Sequence, residues 1–218
     1  MAFDAHVLKI LIASPGDTTD ERDAVERSLH GWNAPRAEWE QVVLLPRRWE
    51  TDAVARLGDS GQSIINSQLV NDADIVIALF DSLLGQATQE AVSGTAEEIQ
   101  RAHEAGKPVH VYFSTEPLPR DVDTEQLTAL RDFKASLQSQ GLLGSYADPT
   151  DLGYHVRNAV EQDLAVLNLG VVIARPVAEE HATLRTEYKF EREAHKTATA
   201  ESGCERPGSA WKSPTAGP

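Results

Sequence analysis

An α/β fold built on an open, mostly parallel sheet is predicted by three features of the sequence. Short apolar segments rich in β-branched residues alternate with longer amphipathic ones. Clusters of Gly, Pro and Asp separate them. One segment, DIVIALF at 74–80, is almost wholly apolar, as expected of a strand with helices on both faces. About five strands in the flavodoxin-like order 2-1-3-4-5 are expected.

The elements follow in order. Residues 6–14 (HVLKILIAS) read as a buried strand. The turn Pro15-Gly16-Asp17 leads into a helix at 18–32, which Asp17 or Thr18 would cap, with Glu21 in the capping-box position. Residues 41–46 (QVVLLP) are the second strand. A polar stretch with Gly58 and Gly61 precedes a helix at 62–73, whose apolar stripe is Ile64, Ile65, Leu69 and Val70. The third strand is 74–80. A loop holding Gly85 and Gly94 opens a helix that stops at Gly106-Lys107-Pro108, and PVHVYF (108–113) is the fourth strand. A helix at 124–140, a short strand within LLGSYA (142–147) and a helix at 151–167 complete the body. Residues 1–169 thus form the α/β domain. An edge segment (VVIARP) and a charged helix are expected at 170–200, and a Gly-, Pro- and Ser-rich disordered tail at 201–218.

Charge narrows the function classes. Net charge is −14; residues 1–169 hold 13 Lys and Arg against 27 Asp and Glu, and the remainder holds 7 of each. Such a body lacks the clustered cations that binding a nucleic-acid backbone requires, so no nucleic-acid partner is expected. The single cysteine, Cys204, excludes an internal disulfide and argues against a cysteine metal site. The seven histidines are scattered, and no metal site is expected. No apolar run approaches the roughly 20 residues that span a bilayer, and no leader pattern opens the chain, which predicts a soluble cytoplasmic protein with no membrane partner.

In open parallel sheets ligands bind beyond the C-terminal strand ends, where strand order reverses. Here that point falls between strands one and three, under the loops at 14–17 and 81–95. Both contain Gly and small hydroxyl residues, and both feed helix N-termini, which favour phosphate. Neither a Walker loop nor a Gly-x-Gly-x-x-Gly fingerprint is present. The second loop ends in SGTAEEI, placing Glu97 and Glu98 in the first turn of a helix. Capping explains such acids: Ser93 or Thr95 as N-cap, with both carboxylates complementing the dipole. Helical phase separates the two, because adjacent residues point about 100° apart. Glu98 shares a face with Ala102 and Ala105, small residues suited to packing on the sheet, whereas Glu97 aligns with Arg101 as an outward i,i+4 pair. Glu98 is therefore the carboxylate expected to face the pocket, and Glu97 the one expected to face solvent.

The stretch GTAEEIQRAHEAGKPV, with Gly94, Thr95, Glu98, Ala102, Gly106 and Lys107, resembles the signature of the nucleoside 2-deoxyribosyltransferase-like group. In that group the corresponding Glu attacks or stabilises the anomeric carbon of a nucleoside. TIR domains share the superfamily shape, with a Glu at a similar place serving NAD cleavage. With SPGDTTDERDAV and INSQLVNDADIVIALF added, the chain is most similar over residues 6–115 to an uncharacterised bacterial branch found in defence and signalling proteins.

This resemblance implies Glu98 as the catalytic carboxylate. Ser14, Gly16 and Asp17 would line the pocket from the first loop, Ser93, Gly94 and Thr95 would contact phosphate or ribose, and Asp81 would hold a ribose hydroxyl. Arg22 would pair with Glu21 or reach an anion. Trp49 would stack on a base or be an ordinary loop residue. Asn66 and Gln68 would border the site from their helix or serve plain surface or capping roles. Three functions follow: an N-glycosidase cleaving a nucleotide such as NAD in bacterial defence or signalling; a nucleoside or nucleotide deoxyribosyltransferase or hydrolase; or a non-catalytic nucleotide-sensing or self-associating module. No cofactor is expected beyond NAD or a nucleotide as substrate or ligand. A homo-oligomer or a partner protein is expected to complete the assembly.

Overall fold

In the computed structural model, which describes residues 2–167 and residue 169, β1 (His6–Ala13) pairs with β2 (Val42–Arg47) on one side and β3 (Ile75–Phe80) on the other. β4 (Val109–Ser114) pairs with β3, and β5 (Gly144–Tyr146) with β4. All pairs are parallel, giving the flavodoxin-like order β2-β1-β3-β4-β5. The segments expected at 170–200 and 201–218, with Cys204 and Trp211, lie outside the described residues. Among the described residues no helix is long and apolar enough to cross a membrane.

Alternation along the strands divides the core between the two faces of the sheet. Ile10, Ile12, Ile75, Ile77 and Leu79 meet Val25, Leu29 and Trp32 of α1 (Thr19–Glu40) and Leu152, Val156 and Val160 of α6 (Pro149–Val166). On the other face, Leu11, Val76, Ala78 and Phe80 meet Ile99 and Ala102 of α4 (Gly94–Glu104), and Leu130 and Leu137 of α5 (Thr124–Gln138). Leu69 and Val70 join them from a π-helical turn, Asn66–Val70, which continues α3 (Gly61–Ile65). Every residue of β3 is buried, and full burial of such side chains contributes roughly 1.5–3 kcal/mol each.

Helix α1 extends well beyond the expected end at 32 and passes through Pro35. A proline in a helix interior costs about 3 kcal/mol. Tertiary contacts outweigh that cost. Buried Trp32 donates Nε1–H to Glu161 Oε1 at 2.8 Å, Arg36 pairs with the same carboxylate, and Asn33 exchanges two hydrogen bonds, 2.8 Å each, with the backbone of Leu44. The helix ends at Gln41, left-handed at φ 52°, and β2 begins at once. The four-residue α2 (Trp49–Asp52) is too short to leave a periodic signal in the sequence. The expected side-chain cap on α1 does not form: Thr18 Oγ1 donates to the Pro15 carbonyl at 3.1 Å, and Asp17 is engaged elsewhere.

Ile77→Ala, which empties a fully buried site in the central strand, is expected to lower unfolding free energy by about 2–5 kcal/mol in urea titrations. Val7→Ala, on a half-exposed position of β1, should stay within about 0.5 kcal/mol of wild type.

Candidate active site

The loop after β1 is shaped from beneath by Arg22. Its guanidinium is buried and donates to Ser14 Oγ (2.8 Å), the Pro15 carbonyl (2.7 Å), Thr18 Oγ1 (3.2 Å) and Thr19 Oγ1 (3.1 Å), and its Nε pairs with Glu50 Oε1 at 2.8 Å. The ion-pair partner is therefore Glu50 rather than Glu21. A planar fork of five donors suits this task, since it organises several acceptors around one rigid group.

The loop after β3 is tied down in the same way. Asp17 Oδ2 accepts from Ser82 N (3.0 Å), Ser82 Oγ (3.0 Å) and Leu83 N (2.9 Å). Gln126, reaching from α5, accepts from Leu84 N and Gly85 N at 3.1 and 3.0 Å. Gly94 N donates to Gln86 O, Ala96 N to Ser93 Oγ at 3.1 Å, and Glu97 N to Ser93 O. The N–H groups of Ser82, Leu83, Leu84, Gly85 and Gly94, among those that could have met a phosphate, are thus engaged by other residues of the chain. Ser93 is the N-cap of α4, and Thr95 is not.

Both glutamates are buried, at 6 % exposure for Glu97 and 7 % for Glu98, so the expectation that Glu97 faces solvent is corrected. Glu97 does pair with Arg101, whose Nε lies 3.2 Å from Oε1, but Asn66 Nδ2 donates to the same oxygen at 2.6 Å from across the helix interface. Asn66 is itself buried, which sets aside the surface role. Glu98 Oε1 accepts from Gln62 Nε2 at 3.0 Å. Burial pushes the Glu98 carboxyl up to about 7; the Gln62 hydrogen bond opposes the rise, and the charges of Glu97 and Glu50 add to it. A carboxyl that titrates near neutrality beside a cleft has the property expected of a group that does acid–base or nucleophilic work.

The end of α4 holds this arrangement in register. Gly106 turns the chain at φ 71°, a left-handed conformation that favours glycine, and Lys107 N bonds back to Ala102 O. Lys107 Nζ then donates to the carbonyls of Val70 and Asn71 at 2.8 Å each, capping the segment that carries Asn66. The Gly-Lys pair of the motif is therefore a brace between α3 and α4.

A cleft of about 910 Å³ opens at the C-terminal strand ends and is lined by Glu98, Gly94 and Thr95 from α4 and by Ser14 and Gly16 from the first loop. Trp49, 44 % exposed, also lines it. Asp17, Asp81 and Ser93 are not in the lining: Asp17 and Ser93 bind backbone, and Asp81 lies close enough to Glu21 and Tyr146 to raise both their pKa values. Gln68 exchanges hydrogen bonds with the backbone of Val54. Lining residues that sequence reasoning did not single out include Ser60, Gln62, Gln86, Thr88 and Gln89. One signal for Gln62 was available, because Gln62 and Asn66 are four apart and form an amide pair on one helical face. Among the described residues no Lys, Arg or His lines the cleft.

The raised Glu98 pKa fixes the sign of a pH effect on stability. The folded carboxyl holds its proton up to about 7, whereas the unfolded one loses it near 4.5, so stability conferred at low pH is lost as pH rises through that window. Wild type should lose about 3 kcal/mol relative to Glu98→Gln across it, measured by urea unfolding at each pH. Glu21, also raised by burial, contributes with the same sign in both proteins and cancels.

No curated protein matches the chain. Among solved structures, elongation factor SelB from Methanococcus maripaludis aligns at 15% identity and a TM-score of 0.42, covering 78% of this chain and 37% of that one. A 2-desoxiribosyltransferase from Leishmania mexicana aligns at 20% identity and 0.28, over 49% of this chain and 64% of that one. A short-chain flavodoxin associated with a bacterial microcompartment aligns at 13% identity and 0.35, over 72% of this chain and 98% of its own. The chain thus spans about 37% of the elongation factor's length and 64% of the desoxiribosyltransferase's. Residues 9–161 match the family described as "Domain of unknown function (DUF4062)", which is more than half of the sequence, and the chain belongs to that family.

Proposed function

We propose that this protein breaks the N-glycosidic bond of a nucleoside, with Glu98 as the carboxylate at the anomeric carbon. The observation that carries the reading is a buried carboxyl, held through one oxygen and titrating near neutrality, at the wall of a cleft that no Lys, Arg or His among the described residues lines. The transition state of such cleavage develops positive charge at the sugar. A single carboxylate stabilises that charge, or forms a glycosyl–enzyme bond as the base departs with the bonding electron pair. Water then completes hydrolysis, or a second base completes transfer. The motif shared with the deoxyribosyltransferase-like group agrees with this assignment of Glu98.

The lining favours an uncharged ligand. Amides of Gln62, Gln86 and Gln89 and hydroxyls of Ser60, Thr88 and Thr95 suit sugar hydroxyls and base edges, and Trp49 offers a stacking surface for a base. An NAD-cleaving version of the same chemistry requires countercharge for two phosphates. Arg22 is engaged by Glu50, and Arg48 by Asp23 and Glu26, while the N–H groups of Leu83, Leu84 and Gly85 are taken by Asp17 and Gln126. We therefore place unphosphorylated nucleosides ahead of NAD.

Purified protein incubated with a panel of nucleosides, nucleotides and NAD, with free base followed by chromatography, tests the proposal. Base release from nucleosides is expected, reduced about a hundredfold or more in Glu98→Gln. Because the carboxylate is the active form, the rate should rise as pH passes about 7. Turnover that survives Glu98→Gln removes Glu98 from the chemistry, and NAD cleavage in preference to nucleosides overturns the ligand order.

A further inference from the structure

Glu98 ends a chain of hydrogen bonds whose direction is forced from its far end. Glu97 Oε1 accepts from Arg101 Nε, which can only donate, so that oxygen is an acceptor. Asn66 must therefore turn its NH2 group to Glu97, at 2.6 Å, which turns its Oδ1 toward α3. Gln62 Nε2 donates to that Oδ1 at 3.2 Å and, with its second hydrogen, to Glu98 Oε1 at 3.0 Å. Every amide orientation in the chain follows from the first acceptor. Gly94 closes the remaining freedom, because a Cβ there would collide with Oε1 of Gln62. The amide lies directly against the glycine and is walled in on that side.

We propose that Asn66 is a positioning residue, which through Gln62 holds Oε1 of Glu98 as an acceptor and leaves Oε2 as the oxygen that meets the ligand. The inference rests on the reading of Glu98 as the reacting carboxyl, and it assigns no contact between Asn66 and substrate. It also gives Glu97 a task distinct from that of its neighbour: it anchors the chain and does not react. Gln62 both lines the cleft and carries the restraint, so Asn66, lying behind it, is the residue that acts only at a distance. The charged groups acting on Glu98 are Glu97 on its own helix and Glu50 on α2, and α3 contributes only the neutral Gln62.

The test uses the full chain and reads the Glu98 titration directly, by 13C NMR of the glutamate side-chain carboxyls, together with kcat and KM for base release. The Glu98 resonance is assigned by its loss in Glu98→Gln. Removing the donor to Oε1 withdraws stabilisation from the carboxylate, so Gln62→Leu should raise the Glu98 midpoint by about half a unit to one unit. Asn66→Leu should shift it in the same direction and lower kcat about tenfold to a hundredfold, with KM changed less than about twofold. In the Gln62→Leu background, Asn66→Leu should add no further shift, since the intermediary is gone. Gly94→Ala, where only the flexible end of Gln62 stands in the way, should keep the fold and reproduce the Gln62→Leu midpoint. An unmoved midpoint in Asn66→Leu, or a shift that adds in full to that of Gln62→Leu, overturns the proposal. If Asn66→Leu does not fold, the milder Asn66→Ser takes its place, and a wild-type midpoint there, or in Gly94→Ala, overturns the proposal. The NMR arm needs no turnover, so a moved midpoint without base release would sink the glycosidase reading and leave the positioning chain standing.

Discussion

Burying two adjacent carboxylates at the start of one helix is the constraint on which the rest of this site depends. A charge removed from water without partners is expensive enough that it changes protonation state or finds compensation. The structure uses both remedies, one for each residue. Glu97 receives a guanidinium from its own helix and an amide from the π-helical turn that continues α3. Among the described residues Glu98 receives a single amide and no cation, and its carboxyl holds its proton to about 7. The asymmetry between two chemically identical neighbours comes from their partners, and it separates an anchoring role from a reactive one.

That asymmetry requires α3 and α4 to keep a fixed relation, and several features of the chain serve it. Lys107 caps the carbonyls that end the π-helical turn, Gly106 makes the bend that brings Lys107 there, and Ala102 is fully buried where α4 meets the sheet. The π-helical geometry is marked by the bond from Asn71 N to Asn66 O, five residues apart. Such turns are frequent at functional sites, and this one begins at the residue that binds Glu97. On the opposite wall Arg22, Asp17 and Gln126 fix the loops after β1 and β3. The loop side of the cleft is therefore braced, and among the described residues Glu98 is the one ionisable side chain in its lining.

The sheet order and the strand–helix alternation were legible because apolar periodicity and turn residues report directly on local structure. Ser93 was legible as a cap for the same reason, since its partner is three residues away. The face assigned to Glu98 also followed from helical phase. Long-range partners left no such trace. The Glu97–Arg101 spacing pointed outward, and only the fold shows that Asn66, 31 positions earlier, closes over it. Asp17 and Gly16 read equally well as ligand contacts, but Asp17 binds a backbone 65 positions later and leaves the cleft to its neighbour. Helix α1 outlasted its sequence signal because contacts with α6 and β2 outweigh one proline.

The most direct measurement is a crystal structure of the wild-type protein with a nucleoside analogue whose sugar ring carries a positively charged nitrogen, mimicking the charge that develops on glycosidic cleavage. The account predicts the analogue in the cleft, with its base against Trp49 and its anomeric carbon within about 3.5 Å of Glu98 Oε2, while Oε1 stays on Gln62. An analogue bound elsewhere, or seated in the cleft with its sugar turned away from Glu98, would contradict it.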